Sequence, residues 1–495
     1  MDKQVGSEKS GHACKEVIYT PATNDAKNQE LKSEEKNRSD TAFLYFSSLA
    51  ALCVSFTYGC NLVWTSPVLP KLRDNDTNVN PLGAPIETGE ISLMVGLPSA
   101  LSLIASFFMA KLPDIIGRRE TMKYMSIGMI LSNIAVAFGS HIYIYYVAKS
   151  TFAIFAGSGL IAVQVYMSEI VEDHNRGKFG CLMGVSLPFG NLYSFVLGPV
   201  TTVRDFTLLS VVPLVFSLVF FYTIVPESPV YLAMKGKREE TIKALTKLRN
   251  NKRSKEIEQD YLVIEDLTKS KRKCEKRGYL NLFDTPALRR AVMVALVVNM
   301  TQHLSGVVII MSFLGPLITE AGTQLSGNTV AIIVGILKVS LFFSTSHMVE
   351  RLGRRPLLLF SSFSTGLPLF LLGLYFFWKN TNAEFIENIR VLPIISILAY
   401  VVFYSLGLGP IPMAMIGEIF PSDIKAVATT FIMTIIAIVV TIMSTAYPLA
   451  AEYFGIQWCI WTFSLFCFSG SFFVYFKLPE TKGKSFREIE ELLSK

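Results

Sequence analysis

The chain has 495 residues, of which 51% are hydrophobic and 17% are charged. Apolar residues far outnumber charged ones and the formal net charge is only +7, which excludes an intrinsically disordered chain and a nucleic-acid-binding protein. The seven cysteines form no CxxC pair, which argues against a disulfide scaffold or a zinc site. We expect no metal and no cofactor.

Apolar runs of about 20 residues, long enough to cross a bilayer, dominate the sequence. We number them as spans 1 to 12. Spans 1 to 6 are expected at about 42–64, 91–112, 121–139, 143–166, 179–200 and 207–225. Spans 7 to 12 are expected at about 290–314, 327–349, 356–377, 391–414, 425–447 and 456–477.

The predicted fold is therefore an all-α membrane protein with 12 transmembrane helices in two six-helix bundles, residues 42–225 and 290–477. A charged linker, 226–289, separates the bundles. The helical spacing of Ile242, Leu245 and Leu248 predicts short amphipathic helices in it; a solvated linker is the alternative. Polar tails are expected at 1–41 and 478–495.

The loop charges predict the orientation of the chain. If the N-terminus is cytoplasmic, most lysines and arginines lie on the cytoplasmic side together with both tails, as the positive-inside rule requires. Asn75 then lies in a long outer loop within the sequon Asn75-Asp76-Thr77 and is a candidate glycosylation site. The same orientation places all the tryptophans at the outer interface: Trp64, Trp378, Trp458 and Trp461.

Three motifs recur in both halves of the chain at a nearly constant offset. Gly117-Arg118-Arg119 follows span 2, and Gly353-Arg354-Arg355 follows span 8. Glu169 follows span 4 as Glu418 follows span 10, and Pro226-Glu227 follows span 6 as Pro479-Glu480 follows span 12. The repetition indicates that the halves are a duplicated unit.

Two further motifs complete the set: Gln302-His303-Leu304-Ser305-Gly306 in span 7 and Gly409-Pro410-Ile411-Pro412 in span 10. In this order the motifs resemble those of the sugar porter family of the major facilitator superfamily, and most of all its facilitative glucose and trehalose transporters. The resemblance implies alternating access, in which two six-helix bundles rock about a central site.

The charged motifs all lie at the expected cytoplasmic ends of spans, so opposite charges of the two halves are expected to meet there and form a cytoplasmic gate. The resemblance implies the same gate. Ordinary positive-inside charge is the alternative, but it does not explain the glutamates. The candidate gate residues are Arg118, Arg119, Glu169, Arg176, Arg354, Glu418 and Lys425.

Pro410 and Pro412 interrupt span 10, because proline removes backbone hydrogen bonds from a helix. A gating hinge is predicted there, with a static kink as the alternative.

Span 7 carries the densest polar cluster of any span, and polar groups inside a membrane face a cavity or a partner helix. The candidate substrate-binding residues are Asn299, Gln302, His303, Ser305, Lys338 and Met413. The resemblance implies that Gln302 keeps a sugar-binding glutamine, whereas His303, Lys338 and Met413 replace the family's usual residues. Contacts between helices are the alternative role for this cluster, and Lys149 is expected to organise helices.

The predicted function is facilitative uniport of a hexose or a trehalose-like disaccharide by a monomeric, multi-pass protein of the plasma membrane, with a small sugar and the lipid bilayer as partners. Proton coupling is not expected, because Asn61 stands where proton-coupled members of the family have an aspartate. The chain has no GxSxG, HExxH or phosphate-binding loop, so an enzyme is not expected. A sugar sensor, or a carrier of a non-sugar solute, is the alternative.

Overall fold

The computed structural model describes residues 42–109, 111–172, 175–249, 253–274, 282–421 and 424–480, together with 482, 488 and 492. The N-terminal tail and most of the C-terminal tail lie outside the described residues, as does the side chain of Arg176, one of the candidate gate residues. Within the described ranges the chain forms helices and no strands.

The N-terminal half contains spans 1 to 6. Span 1 comprises Ala42–Leu62 and Thr65–Leu72, and span 6 comprises Val203–Leu209 and Val212–Thr223. A short helix, Leu112–Ile116, precedes span 3. Spans 2 to 5 are Thr88–Met109, Arg118–Phe138, Ile142–Ile170 and Arg176–Val200.

The C-terminal half contains spans 7 to 12, and two of them are broken. Span 7 comprises Pro286–Leu304, Val307–Ser312 and Leu314–Ala321. Span 10 comprises Leu392–Phe403, a π-helical turn at Tyr404–Leu408 and Ile411–Ile419, and a 3-10 helix, Glu384–Ile389, precedes it. Spans 8, 9, 11 and 12 are Gly327–Leu352, Arg354–Asn380, Lys425–Tyr453 and Ile456–Lys477.

Eleven of these spans are long and apolar enough to cross a membrane, counted over the described part of the chain. Span 8 is the exception, because its apolar described stretch, Gly327–Phe342, is shorter. The all-helical, multi-span fold is thus confirmed, and the twelfth crossing stays a prediction.

The linker forms three helices, Pro229–Met234, Arg238–Leu248 and Ser254–Cys274. Helices were predicted here, but the third is longer than expected, at 21 residues. Leu245, Ile257, Tyr261 and Ile264 pack together as a small apolar core of the linker. Arg249 forms ion pairs with Asp260 and, at 3.0 Å, with Glu172 at the end of span 4, so the linker is attached to the N-terminal half.

A buried apolar cluster joins the two halves at one end of the molecule. We call the end near segment 73–87 the loop end and the end carrying the charged motifs the motif end. The largest buried apolar cluster lies at the loop end and combines residues of both halves, such as Val68 and Leu314. Two other large clusters each belong to one half. The structure is therefore closed at the loop end.

Polar contacts join the halves near the loop end. Ser312 Oγ donates a hydrogen bond to the Leu62 carbonyl at 2.8 Å, and Gly315 N–H donates to Ser66 Oγ at 2.9 Å. Ser92 Oγ of span 2 donates to the Thr445 carbonyl of span 11. Spans 2 and 11 approach so closely that a Cβ atom on Gly96 would lie 2.0 Å from Thr445 Oγ1.

Trp64 departs from its predicted place at the bilayer interface. Its side chain is fully buried, and its indole Nε1 donates to Thr207 Oγ1 at 3.1 Å. The prediction was wrong for this residue because Trp64 belongs to the cluster in which the two halves pack. The other three tryptophans are at least partly exposed.

The charged motif of the N-terminal half forms a compact cluster. Gly117 turns the chain into span 3 with φ of +107°, a conformation that favours glycine. The backbone N–H groups of Arg118 and Arg119 donate to Glu227 Oε1 at 2.9 and 3.0 Å, which places a carboxylate at the helix N-terminus. The Arg118 guanidinium donates to Glu169 at 2.9 Å.

The C-terminal half repeats this cluster. Gly353 turns the chain into span 9 with φ of +89°, and the N–H groups of Arg354 and Arg355 each donate to Glu480 at 3.0 Å. Arg354 Nη2 donates to Glu418 at 2.8 Å. The duplication predicted from the motifs is therefore present in the hydrogen bonds as well.

These ion pairs form within each half, although the gate was expected to pair residues across the halves. Lys425 likewise donates to the Gly417 carbonyl of its own half, at 3.3 Å. The physical reason is that the apolar cores at the motif end belong to separate halves in this conformation. Pairing across the halves belongs to a conformation closed at the motif end and stays a prediction.

The charged clusters of the two halves differ in how deeply their ion pairs are buried. The contribution of burial to stability can therefore be tested with one matched substitution in each half. The side chains of Arg118 and Glu169 are 4% and 9% exposed, whereas those of Arg354 and Glu418 are 21% and 27% exposed. Breaking a buried pair costs about 3–5 kcal/mol, whereas a more exposed pair contributes about 1 kcal/mol or less. We expect Arg118→Gln to lower the thermal stability of the purified protein clearly more than Arg354→Gln does. Equal losses in the unfolding midpoint would contradict this.

Candidate functional site

Spans 7 and 10 are broken in adjoining regions of the C-terminal half. Gly306 has φ of +78° and separates the first two helices of span 7. In span 10 the π-helical turn is followed by Gly409 and Pro410 before the helix resumes at Ile411. The interruption predicted from the prolines is thus present, and motion about it stays a prediction.

Polar side chains of span 7 donate hydrogen bonds to backbone carbonyl groups beside the break in span 10. Asn299 Nδ2 donates to the Pro412 carbonyl at 3.2 Å, and Gln302 Nε2 donates to the Gly409 carbonyl at 2.5 Å. In return, Tyr400 Oη donates to the Ser305 carbonyl at 3.3 Å. Because hydrocarbon offers no partners for backbone groups, these bonds stabilise the broken helices.

The predicted substrate-binding residues do not form one site in this conformation. Asn299 is fully buried and serves the contact between spans 7 and 10. Ser305 is also buried and donates to the Gln302 carbonyl at 2.6 Å. His303 is partly buried, with Nδ1 3.0 Å from the Asn299 carbonyl. For Asn299 and Gln302 the alternative role in helix contacts is therefore observed, and substrate contact stays a prediction.

Lys338 and Met413 lie on spans 8 and 10. Met413 is 47% exposed. Lys338 is partly buried on span 8, and its ammonium group makes no hydrogen bond or ion pair to another described residue.

A cavity of about 300 Å³ lies between the two halves. Spans 1, 2 and 4 form one wall, and spans 7 and 11 form the other. None of the six predicted substrate-binding residues lines it. Its polar lining includes Asn61, Thr65, Ser102, Lys149, Ser312 and Thr441.

Lys149 is the only charged residue that lines this cavity, among those that the structure describes. It is 7% exposed, and its Nζ donates to Asn61 Oδ1 at 3.0 Å. Nζ also lies 3.5 Å from the centre of the Trp64 ring, a cation–π contact. Asn61 Nδ2 in turn donates to Asn133 Oδ1 at 3.3 Å. Lys149 thus organises spans 1, 3 and 4, as expected, and also faces the cavity.

The hydroxyl groups of the wall present oxygen lone pairs to the cavity. Ser102, Ser312 and Thr441 each donate their single proton to a backbone carbonyl, at 3.0, 2.8 and 2.8 Å. A hydroxyl that has donated its proton still accepts hydrogen bonds. This wall therefore suits a ligand that carries many hydroxyl donors. Sequence reasoning missed it, because the serines and threonines of the wall come from four different spans.

A second cavity, of about 220 Å³, lies at the loop end between the halves. Arg73, at the end of span 1, and Glu320, at the end of span 7, both line it. The closed loop end therefore places opposite charges of the two halves near each other.

The chain is similar in sequence to insect proteins named facilitated trehalose transporter Tret1. It is 29% identical to that of Polypedilum vanderplanki over 461 residues, 90% of this chain and 88% of that protein. It is 27% identical to that of Aedes aegypti over 452 residues, 90% of this chain and 55% of that protein. The chain thus spans little more than half the length of the Aedes relative.

The fold is similar to that of the E. coli xylose transporter XylE. An inward-open conformation of XylE gives a TM-score of 0.73 at 19% identity, over 91% of this chain and 99% of that chain. XylE bound to 6-bromo-6-deoxy-D-glucose gives a TM-score of 0.68 at 18% identity, over 91% of this chain and 99% of that chain. The family model described as sugar (and other) transporter matches residues 20–493. Because that match covers nearly the whole chain, the protein belongs to the sugar (and other) transporter family.

Proposed function

We propose that this protein carries a hexose or a trehalose-like disaccharide across a membrane by facilitative alternating access. The observation that carries this proposal is the cavity between two matched helical halves, closed at the loop end and lined by hydroxyl acceptors. The similarity to relatives named facilitated trehalose transporters supports a sugar as substrate.

The proposed topology places the motif end, the linker and both termini in the cytoplasm. The loop end then faces outward, and the exposed Asn75 carries a glycan. We assign the protein to the plasma membrane and take one chain as the functional unit, because both walls of the cavity come from the same chain.

Transport requires the contacts at the loop end to open and the motif end to close. The bonds of Ser312 with Leu62, of Gly315 with Ser66 and of Ser92 with Thr445 then break. On closure the gate residues of one half meet those of the other. The hinge at Pro410 and Pro412 accommodates the bending of span 10.

Gln302 is the first candidate for binding a sugar hydroxyl. Its Nε2 binds the Gly409 carbonyl in this conformation, and its amide oxygen keeps acceptor capacity. The further candidates, brought to the substrate as the halves move, are His303, Asn299, Ser305, Lys338 and Met413.

A sugar sensor that binds without transport is the second candidate function. The observation that favours it is that the six candidate substrate residues do not line the cavity. Uptake measurements separate the two functions.

We expect the purified protein in liposomes to equilibrate D-glucose or trehalose without accumulating it above the outside concentration. An uncoupler should not change the final level, because Asn61 cannot titrate and the cavity wall has no carboxylate among the described residues. Gln302→Ala should reduce uptake about tenfold, equivalent to ~1.4 kcal/mol of lost hydrogen bonding.

Thr301→Ala is the matched control for Gln302→Ala, since the Thr301 hydroxyl donates only to the Val297 carbonyl of its own helix, at 2.9 Å. Equal losses in both variants would assign Gln302 a packing role. Accumulation that an uncoupler abolishes would overturn uniport, and binding without any uptake would establish the sensor.

The topology predicts that Asn75 is glycosylated when the protein is expressed in eukaryotic cells. Removal of N-glycans should increase the gel mobility of the wild type but not that of Asn75→Gln. An epitope inserted between Lys235 and Arg238, at the turn between linker helices, should be detected only after the cells are permeabilised. Detection on intact cells would invert the topology.

A bulky residue at position 96 should hold the loop end open, because no Cβ atom fits between Gly96 and Thr445. We expect Gly96→Leu to make a cysteine at the cavity position Thr65 reactive toward an impermeant maleimide added outside. Gly89→Leu is the control, since Gly89 on the same span faces open space. Labelling of variants without the Thr65→Cys change gives the background from native cysteines. Equal labelling in both leucine variants would refute the close packing of spans 2 and 11.

A further inference from the structure

The charge of Lys149 has no counter-charge among the residues that the structure describes. Its ammonium group is buried, and its partners within the described residues are the neutral Asn61 amide and the Trp64 ring. A buried cation in a medium of low dielectric constant is costly unless an anion or several hydrogen bonds compensate it.

The two other buried cations among the described residues are paired with carboxylates. Arg118 binds Glu169, and Lys123, which is as buried as Lys149, binds Glu120 at 2.8 Å. Lys149 differs in that it lines a cavity whose described wall contains no aspartate or glutamate. The ammonium group has three N–H donors, so donors remain for a ligand after the bond to Asn61.

The rest of the wall limits what else the ligand contains. Ser102, Ser312 and Thr441 offer acceptors, which match ligand hydroxyl groups rather than further carboxylates. The cavity volume of about 300 Å³ lies at the lower end of the range of ligand pockets, about 300–1,000 Å³. A ligand with one sugar ring fits this volume better than one with two rings.

We propose that the cavity binds a monosaccharide acid, a polyhydroxylated ring bearing one carboxylate, and that Lys149 binds the carboxylate. The hydroxyl groups of the ligand donate to the serine and threonine oxygens on both halves. This inference rests on the proposed function and extends its substrate class from neutral sugars to sugar acids. Lys338, which does not line this cavity, adds a second positive charge in the opposite half.

The test compares two probes of nearly equal size that differ in charge: D-glucuronate and its neutral methyl ester, with D-glucose as a third ligand. Binding to the full-length purified protein is measured by calorimetry near neutral pH. We expect the wild type to bind D-glucuronate at least about tenfold more tightly than the ester or glucose. Lys149→Arg should retain this preference, because it keeps the positive charge, and Lys149→Met should abolish it.

Lys123→Met is the matched control, since it removes an equally buried lysine that does not line the cavity, and it should retain the preference. If Lys149→Met does not fold, the affinities of the wild type and of Lys149→Arg for D-glucuronate and its methyl ester still test the proposal. Equal affinities for D-glucuronate and its ester, no binding of any probe, or a preference that persists in folded Lys149→Met would each overturn the proposal.

Uptake of the same probes separates this inference from the proposed function. Transport of glucose or trehalose without a preference for D-glucuronate would overturn the sugar-acid inference and leave facilitative sugar transport standing. Tight, Lys149-dependent binding of D-glucuronate without uptake of any sugar would support the inference about the cavity and contradict transport.

Discussion

Polar groups inside a bilayer must find partners within the protein, and this constraint governs the interior of the molecule. The breaks in spans 7 and 10 are tolerated because Asn299 and Gln302 bind the carbonyls of Pro412 and Gly409. Arg118 and Arg354 near the motif end are tolerated because each is paired with a carboxylate. Lys149 meets the constraint with neutral partners only, within the described part of the chain, and this is the ground on which we propose a ligand in the cavity beside it.

The duplicated motifs join the spans within each half, because their polar groups must also find partners inside the protein. In each half a glycine with positive φ turns the chain, and a glutamate from the end of the half binds the two N–H groups that begin the next span. The first arginine then binds a glutamate on a third span. Each half is therefore joined internally at the motif end, which suits two bodies that move as units.

The sequence predicted the elements whose signals are local. Apolar runs, the Gly-Arg-Arg motifs and the prolines of span 10 each lie within a few neighbouring residues, and the structure places helices, turns and a break there. The cavity was not predictable in this way, because its wall combines single residues such as Ser102, Ser312 and Thr441 from distant spans. Trp64 was misplaced for the same reason, since its burial depends on how the two halves pack.

The difference in exposure between the two motif clusters has a consequence for the response to salt. Mobile ions screen charges that water reaches and have little effect on buried pairs. The pair of Arg354 and Glu418 is open to such screening, whereas the pair of Arg118 and Glu169 is largely protected from it. A rise in ionic strength on that side of the membrane therefore weakens the ion pair of the C-terminal half more than that of the N-terminal half. The two halves of a duplicated fold thus differ in their response to salt.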